Sequence, residues 1–325
     1  MKRNTKKNDP HKKLTENKSP ERQSGSFSEY TRKLIPKGAV LNFIFHEDFD
    51  GDGIREAFAG FTEFSPFPPE TSILYIKPDE EGYIHKWLLP SDSRNYEDCP
   101  GIYDNAVAVD TDGDGRPELV VSLAAGNGHY LTLCIFDCAE GLPVLVWQSE
   151  DAWYHGNAEV ADFDGDGRYE VAVEKGTNTG REILALSEAC YHVREGLEFK
   201  WSGSDYTGRP VQVRMPYQSY NTAVNFLLSL WRKDYKSCYK MTAMPAFLGI
   251  DGLDDSSLDA FRKYASRRIR PVLMRNLSKG KLSPGEPCDT CCLFTGAEDD
   301  ITVELSPDHG LVKVSGVSIS KRVLH

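Results

Sequence analysis

Twelve carboxylates fall into three nine-residue strings whose spacing suits the wrapping of a cation: DFDGDGIRE from Asp48, DTDGDGRPE from Asp110 and DFDGDGRYE from Asp162. The shared template is D-x-D-G-D-G-x-x-E, recurring at intervals of 62 and 52 residues. A hard divalent cation takes about six to eight oxygens at roughly 2.3–2.6 Å, and a curled loop can supply them. Side chains at positions 1, 3, 5 and 9 can converge, namely Asp48, Asp50, Asp52 and Glu56, then Asp110, Asp112, Asp114 and Glu118, then Asp162, Asp164, Asp166 and Glu170. The backbone carbonyl of position 7, at Ile54, Arg116 or Arg168, would be a further ligand.

Gly53, Gly115 and Gly167 at position 6 permit the positive φ that such wrapping demands, and the position-4 glycines remove side chains that would crowd an ion. Calcium, up to three ions, is therefore expected. Magnesium and manganese are less apt, magnesium because it insists on a tight octahedron and sheds water reluctantly. An EF-hand would need a bidentate glutamate at position 12 between two helices, and that position holds Ala59, Val121 or Val173.

Strands must position these loops. Val107–Val109 runs into Asp110 and Leu119–Val121 leaves Glu118, and Val160–Ala161 and Val171–Val173 flank the third loop likewise. Ile73–Ile76, Leu131–Phe136 and Ile183–Leu186 are short apolar runs bounded by turn chemistry, and each reads as a strand. Acidic-glycine pairs at Glu81-Gly82, Glu140-Gly141 and Glu195-Gly196 read as turns. Trp87, Trp147 and Trp201 close the units, 39, 37 and 39 residues after the first aspartate of each loop. Each unit is then about four strands, the content of one propeller blade.

The strings and the strands around them resemble FG-GAP/VCBS repeats, the calcium-binding units of the integrin α-subunit β-propeller and of many bacterial surface proteins. The resemblance covers roughly residues 37–214. It implies a mainly β fold, a propeller-like array of about three four-stranded blades in which calcium stabilises the loops. It also implies a non-catalytic interaction or adhesion role, with the ligands already named from spacing. Loop one departs from the pattern, being followed by Ala57-Phe58-Ala59-Gly60-Phe61, a poorer strand than its counterparts. Asn105 and Asn157 stand five residues before their loops whereas Asn42 is one place off, which predicts a register shift in the first blade. Closed propellers usually have about four to eight blades, so a three-blade array would stay open or complete itself by self-association. Gly208–Val213 would supply a last strand that completes an earlier blade.

From Tyr217 the period becomes helical through Ala223, Phe226, Leu227, Leu230 and Tyr235, and a second helix starts near Asp254–Ser256 with Leu258, Phe261, Tyr264, Ala265 and Ile269 inward. After Pro271 and a Gly/Pro/Lys loop come strand-like runs at Ile301–Leu305 and Leu311–Val317. Residues 215–325 thus read as a small α+β domain, similar in pattern to the nuclear-transport-factor-like cone. Trp231 reads as a core residue, and the basic run Arg262, Lys263, Arg267, Arg268, Arg270 as a solvated helix face.

The net charge of −11 hides an asymmetry: residues 1–35 hold ten Lys/Arg and four Asp/Glu, leaving 28 and 45 in the rest. A body this acidic is a poor partner for nucleic acid. Residues 1–36 read as a disordered basic tail, with no apolar stretch after it of the kind an export signal carries. Calcium loops suit the millimolar calcium outside cells, so extracellular or cell-surface residence competes with cytoplasmic. No run reaches the roughly 18–20 apolar residues of a membrane span. Cys288, Cys291 and Cys292 form one CxxC without a second pair at zinc-finger spacing, which favours plain thiols or a local disulfide over zinc. No nucleophile elbow, zinc helix, P-loop or dinucleotide fingerprint occurs. The expectation is a calcium-stabilised module for a protein or carbohydrate partner, the competing readings being a hydrolase or lyase working on a propeller face and a cytoplasmic structural protein with vestigial loops.

Overall fold

A computed structural model describes residues 27–65, 69–80, 82–88, 101–126, 129–149, 152–187, 191–244, 256–286, 288–308 and 310–321. Expectations for the tail up to residue 26, Glu81 and Asp254 lie outside the described residues. Among the described residues the chain is mainly β, with four antiparallel four-stranded sheets, few helices and no closed barrel. It divides into two compact units, Met1–Val109 with Gly115–Leu123 and Ile135–Val146, and Asp110–Asp114 with Ala124–Cys134 and Trp147–His325.

In the first unit β1 (Val40–Glu47), β2 (Glu56–Glu63), β3 (Glu70–Asp79) and β4 (Gly82–Trp87) follow one another across one sheet. The run judged a poorer strand is a full one. Ala57, Phe58, Ala59 and Phe61 of β2 are all completely buried. Its small residues make room for aromatic ones: a Cβ on Gly60 would lie 2.1 Å from the Phe43 ring. The expected register shift is a bulge between Leu41 and Phe43, and Asn42, beside it, donates to Thr62 Oγ1 at 2.7 Å. The tail reading stops short of Phe27. Helix α1 (Phe27–Leu34) forms there because Tyr30, 3 % exposed, packs on Phe61, Leu74 and Ile76 and bonds His85 at 2.8 Å.

The second sheet takes β5 (Ile102–Val109), β6 (Glu118–Ala125), β7 (Tyr130–Asp137) and β8 (Val144–Gln148) in chain order. Glu140-Gly141 is a turn as expected, with Gly141 at φ +83° and its N–H on the Cys138 carbonyl. The third sheet, in the second unit, takes β9 (Asn157–Ala161), β10 (Glu170–Gly176), β11 (Arg194–Trp201) and β12 (Tyr206–Val211).

Four expectations fail in this third sheet for one reason. Ile183–Leu186 is not a strand: apart from a single bridge from Leu184 to Leu282 it is turn and coil, and Ile183 and Leu184 are buried in the core of the helical region. The chain leaves the sheet to fill that core, so the next strand comes late. Glu195-Gly196, read as a turn, therefore lies within β11, opposite Lys175 and Glu174. Trp201 accordingly ends the third strand of its sheet, whereas Trp87 and Trp147 lie on the fourth. Gly208–Val211 completes its own sheet against β11, not an earlier one.

The C-terminal helices are α2 (Tyr217–Arg232), α3 (Tyr235–Lys240), α4 (Leu258–Tyr264) and α5 (Arg270–Lys279), followed by a sheet of β13 (Ser283–Pro284), β14 (Cys291–Thr295), β15 (Asp299–Asp308) and β16 (Leu311–Lys321). Helix α2 begins at Tyr217, where the hydrophobic period changes, and buries Ala223, Phe226, Leu227 and Leu230. Ser257 caps α4 through the Ala260 N–H. The helix does not stop before Pro271, because a π-turn at Ala265–Ile269 widens the spiral and places the proline in the first turn of α5, where its missing N–H costs little. Trp231 packs on the core as expected. Arg270 departs from the solvated-face reading, donating to the Leu230 carbonyl near the end of α2 at 3.1 Å.

Candidate metal centres

Each acidic string is the corner between two adjacent antiparallel strands, β1–β2, β5–β6 and β9–β10. Its last glutamate is also the first residue of the inner strand, so sheet pairing fixes that carboxylate at the core while the aspartates ride on the loop. Glu56, Glu118 and Glu170 are 0, 1 and 1 % exposed. The loop N–H groups fold back on the carboxylates: Phe49 donates to Glu56 Oε2 and Phe163 to Glu170 Oε2, both at 2.9 Å. Gly53 and Gly167 donate to Asp48 and Asp162 at 2.9 and 3.0 Å. Position 6 needs the left-handed backbone expected of it, at φ +84°, +88° and +90° for Gly53, Gly115 and Gly167.

Three acidic clusters that could hold a metal ion result. Ligand oxygens of Asp110, Asp112, Asp114 and Glu118 lie within 4.8 Å of one another, as do those of Asp48, Asp50 and Glu56 and those of Asp162, Asp164 and Glu170. Oxygens bound to one metal centre at roughly 2.0–2.6 Å are at most about 5 Å apart, so the spacing is compatible with a metal ion. Buried oxygens without a hydrogen bond point the same way, at Asp48 Oδ1 and Glu56 Oε1. Burial is the main force raising the Glu56 pKa; the Phe49 N–H and the Lys77 ammonium oppose it, and the charges of Asp50 and Asp52 add to it.

The position-5 aspartates behave differently among the loops. Asp114 joins its cluster, whereas Asp52 and Asp166 are not in theirs and instead accept the ammonium groups of Lys77 and Lys200 at 2.7 and 2.6 Å. Those bonds are the leading cause of their lowered pKa values. Neither lysine is part of the nonapeptide pattern. They come from β3 and β11, and only strand pairing brings them to the loops.

The position-4 glycines serve a purpose other than clearing space for an ion in two of the loops. A Cβ on Gly113 would lie 2.5 Å from Arg168 Nε, and one on Gly51 would lie 3.1 Å from Arg116 Cδ, while Gly165 has open space. The position-7 arginine of one loop thus lies on the position-4 glycine of the loop before it. Ile54, at position 7 of the first loop, is 48 % exposed. In the second unit the Tyr169 N–H also donates to the Asp110 carbonyl at 2.9 Å.

Away from the loops, Cys288 and Cys291 are free thiols whose sulfurs approach to 2.8 Å. The hydrogen bond from Cys291 holds the Cys288 thiol below its ordinary pKa and raises Cys291, while burial pushes Cys292 up to about 12. Thiolates are the reactive species. Of these three, alkylation with iodoacetamide near neutral pH is therefore expected to label Cys288 first and Cys292 last, read by peptide mass mapping; labelling that begins at Cys292 would contradict this arrangement.

No family model matches the chain, and no curated protein matches it. Among solved structures it is similar to an exotype rhamnogalacturonan lyase, YesX, at 12 % identity and TM-score 0.26, covering 88 % of this chain and 47 % of that one. A rhamnogalacturonan lyase of Bacillus licheniformis gives 12 % and 0.26, covering 88 % and 48 %. The chain spans about half the length of these proteins. No helix among the described residues is long and apolar enough to cross a membrane.

Proposed function

We propose that this chain is a calcium-binding, non-catalytic interaction module, built of FG-GAP/VCBS-like blades in a propeller-like array, whose ions stiffen the loops that join the first two strands of each blade. The observation that supports this reading is the convergence of carboxylates to within 4.8 Å at the same corner of three successive sheets. Repetition of one charged constellation at one structural position is hard to account for by packing, since like charges so close repel one another without a cation. The ligands would be the aspartates at positions 1, 3 and 5, the position-9 glutamate and the position-7 carbonyl. The partner would be a protein or carbohydrate bound outside the loops.

Calcium added to chelator-treated protein is expected to raise the unfolding temperature, because an ion that binds only the folded chain stabilises it by about 2.7 kcal/mol at a hundredfold excess over Kd. Magnesium at the same concentration is expected to do less. Asp112→Ala is expected to shrink the calcium-dependent shift, measured by differential scanning calorimetry. An unfolding temperature indifferent to millimolar calcium would retire the reading.

A further inference from the structure

Of the described free thiols, Cys134, Cys138, Cys238 and Cys292 are buried, whereas Cys288 and Cys291 are half-buried. These two face each other across the bend Asp289-Thr290. The Cys288 N–H donates to the Cys291 carbonyl at 3.1 Å, and the two sulfurs stand 2.8 Å apart. Residues opposed in this way across an antiparallel pair hold their Cα atoms about 5.5 Å apart, inside the span that a disulfide bridges.

The bend is held from two sides. Ser219, in the first turn of α2, donates its hydroxyl to the Asp289 carbonyl at 2.8 Å, and the Leu305 N–H of β15 donates to the Thr290 carbonyl at 2.8 Å. Asp289 and Thr290 themselves are exposed. The sulfurs are therefore brought together by the backbone, at a place that a small molecule can reach. They are not equivalent. The Cys291 N–H donates to Cys288 Sγ at 3.0 Å, which favours the thiolate of Cys288. The bond between the two thiols also holds Cys288 below its ordinary pKa and raises Cys291.

We propose that Cys288 and Cys291 are a reversible redox pair that exchanges with small-molecule disulfides, Cys288 as the attacking thiol and Cys291 as the resolving one. The Cys288 thiolate attacks one sulfur of a disulfide R–S–S–R; that S–S bond breaks, one thiolate leaves, and Cys288 carries the other half as a mixed disulfide. Cys291 then gives up its proton and attacks Cys288 Sγ, forming the internal bond and expelling the second thiolate. The leaving thiolates take up the protons that the two cysteines lost, so the chain is oxidised by two electrons and R–S–S–R is reduced to two R–SH. A bridge closing so short a loop removes less entropy from the unfolded chain than the long-loop bridges that fix a fold, and excess thiol reopens it. The pair is independent of the calcium reading.

The test incubates the full chain in glutathione buffers of graded disulfide-to-thiol ratio, quenches with acid, alkylates the remaining thiols and maps the peptides by mass spectrometry. A bridge between Cys288 and Cys291 is expected, its fraction rising with the ratio and lost on transfer to excess glutathione. Wild-type samples quenched early are expected to carry glutathione on Cys288. Cys291→Ser is expected to stop at that mixed disulfide, and Cys288→Ser to lose the bridge and gain little glutathione at Cys291 over the same time. The wild-type measurements decide the matter should a serine variant fold poorly. Thiols that stay reduced at every ratio, bridges formed through other cysteines instead, a bridge that excess glutathione leaves closed, or glutathione appearing first on Cys291 would each overturn the proposal.

Discussion

Phe58→Ala is expected to lower the stability of the first unit by about 3–5 kcal/mol, the usual cost of emptying a fully buried phenylalanine site. Phe58 is completely buried in β2, with its ring 4.6 Å from Phe49 at 85° and 5.1 Å from Tyr75 at 52°. Such edge and tilted contacts contribute beyond area burial. Phe49 is the second residue of the first acidic loop, and its N–H holds Glu56 Oε2. The cavity left by the substitution therefore opens under the loop, and the backbone that orients Glu56 loses its anchor. Denaturant unfolding should show a lower midpoint, and Phe64→Ala, at a side chain 55 % exposed, should change it by no more than about 0.5 kcal/mol. Equal effects at the two positions would mean that the column Phe49–Phe58–Tyr75 does not carry the loop.

Gly113→Ala is expected to destabilise the second loop by more than Gly165→Ala, although both replace a position-4 glycine. The backbone term is common to both, since Gly113 has φ +84° and Gly165 +75°, and a side chain in that region costs about 1–2 kcal/mol. Only at Gly113 would the new methyl group meet another atom, 2.5 Å from Arg168 Nε. The guanidinium can swing away, so the added cost is that of giving up its seat on the loop. In the background Arg168→Ala the two glycine substitutions are expected to cost the same, measured by chemical denaturation. A difference that survives removal of Arg168 would show that the packing of arginine on glycine is not its source.

The acidic strings and the curled backbone of their loops were legible because their determinants are local. Six glycines with positive φ and carboxylates at alternate positions fold back on their own N–H groups whatever surrounds them. Flanking strands were legible for the same reason, as period-2 runs next to turn residues, and so was the start of α2 at Tyr217. Even the bulge at Leu41–Phe43 was foreshadowed by a one-residue slip of Asn42. The position-4 glycines were expected to clear space for an ion; in two loops an arginine of the following loop lies against that glycine, and Gly165 faces open space.

Non-local choices were hidden. Ile183–Leu186 has the composition of a strand, and nothing within it says that its apolar side chains are needed by the helical core. The near-equal distances of Trp87, Trp147 and Trp201 from their acidic strings suggested one role for three residues, and that detour moved the third to a different strand. The sequence by itself determined three loops that gather negative charge. Tertiary structure alone decided which positive charge meets them, because Lys77 and Lys200 lie 27 and 36 residues beyond the aspartates they bond, a separation bridged only when strands pair in one register and not another.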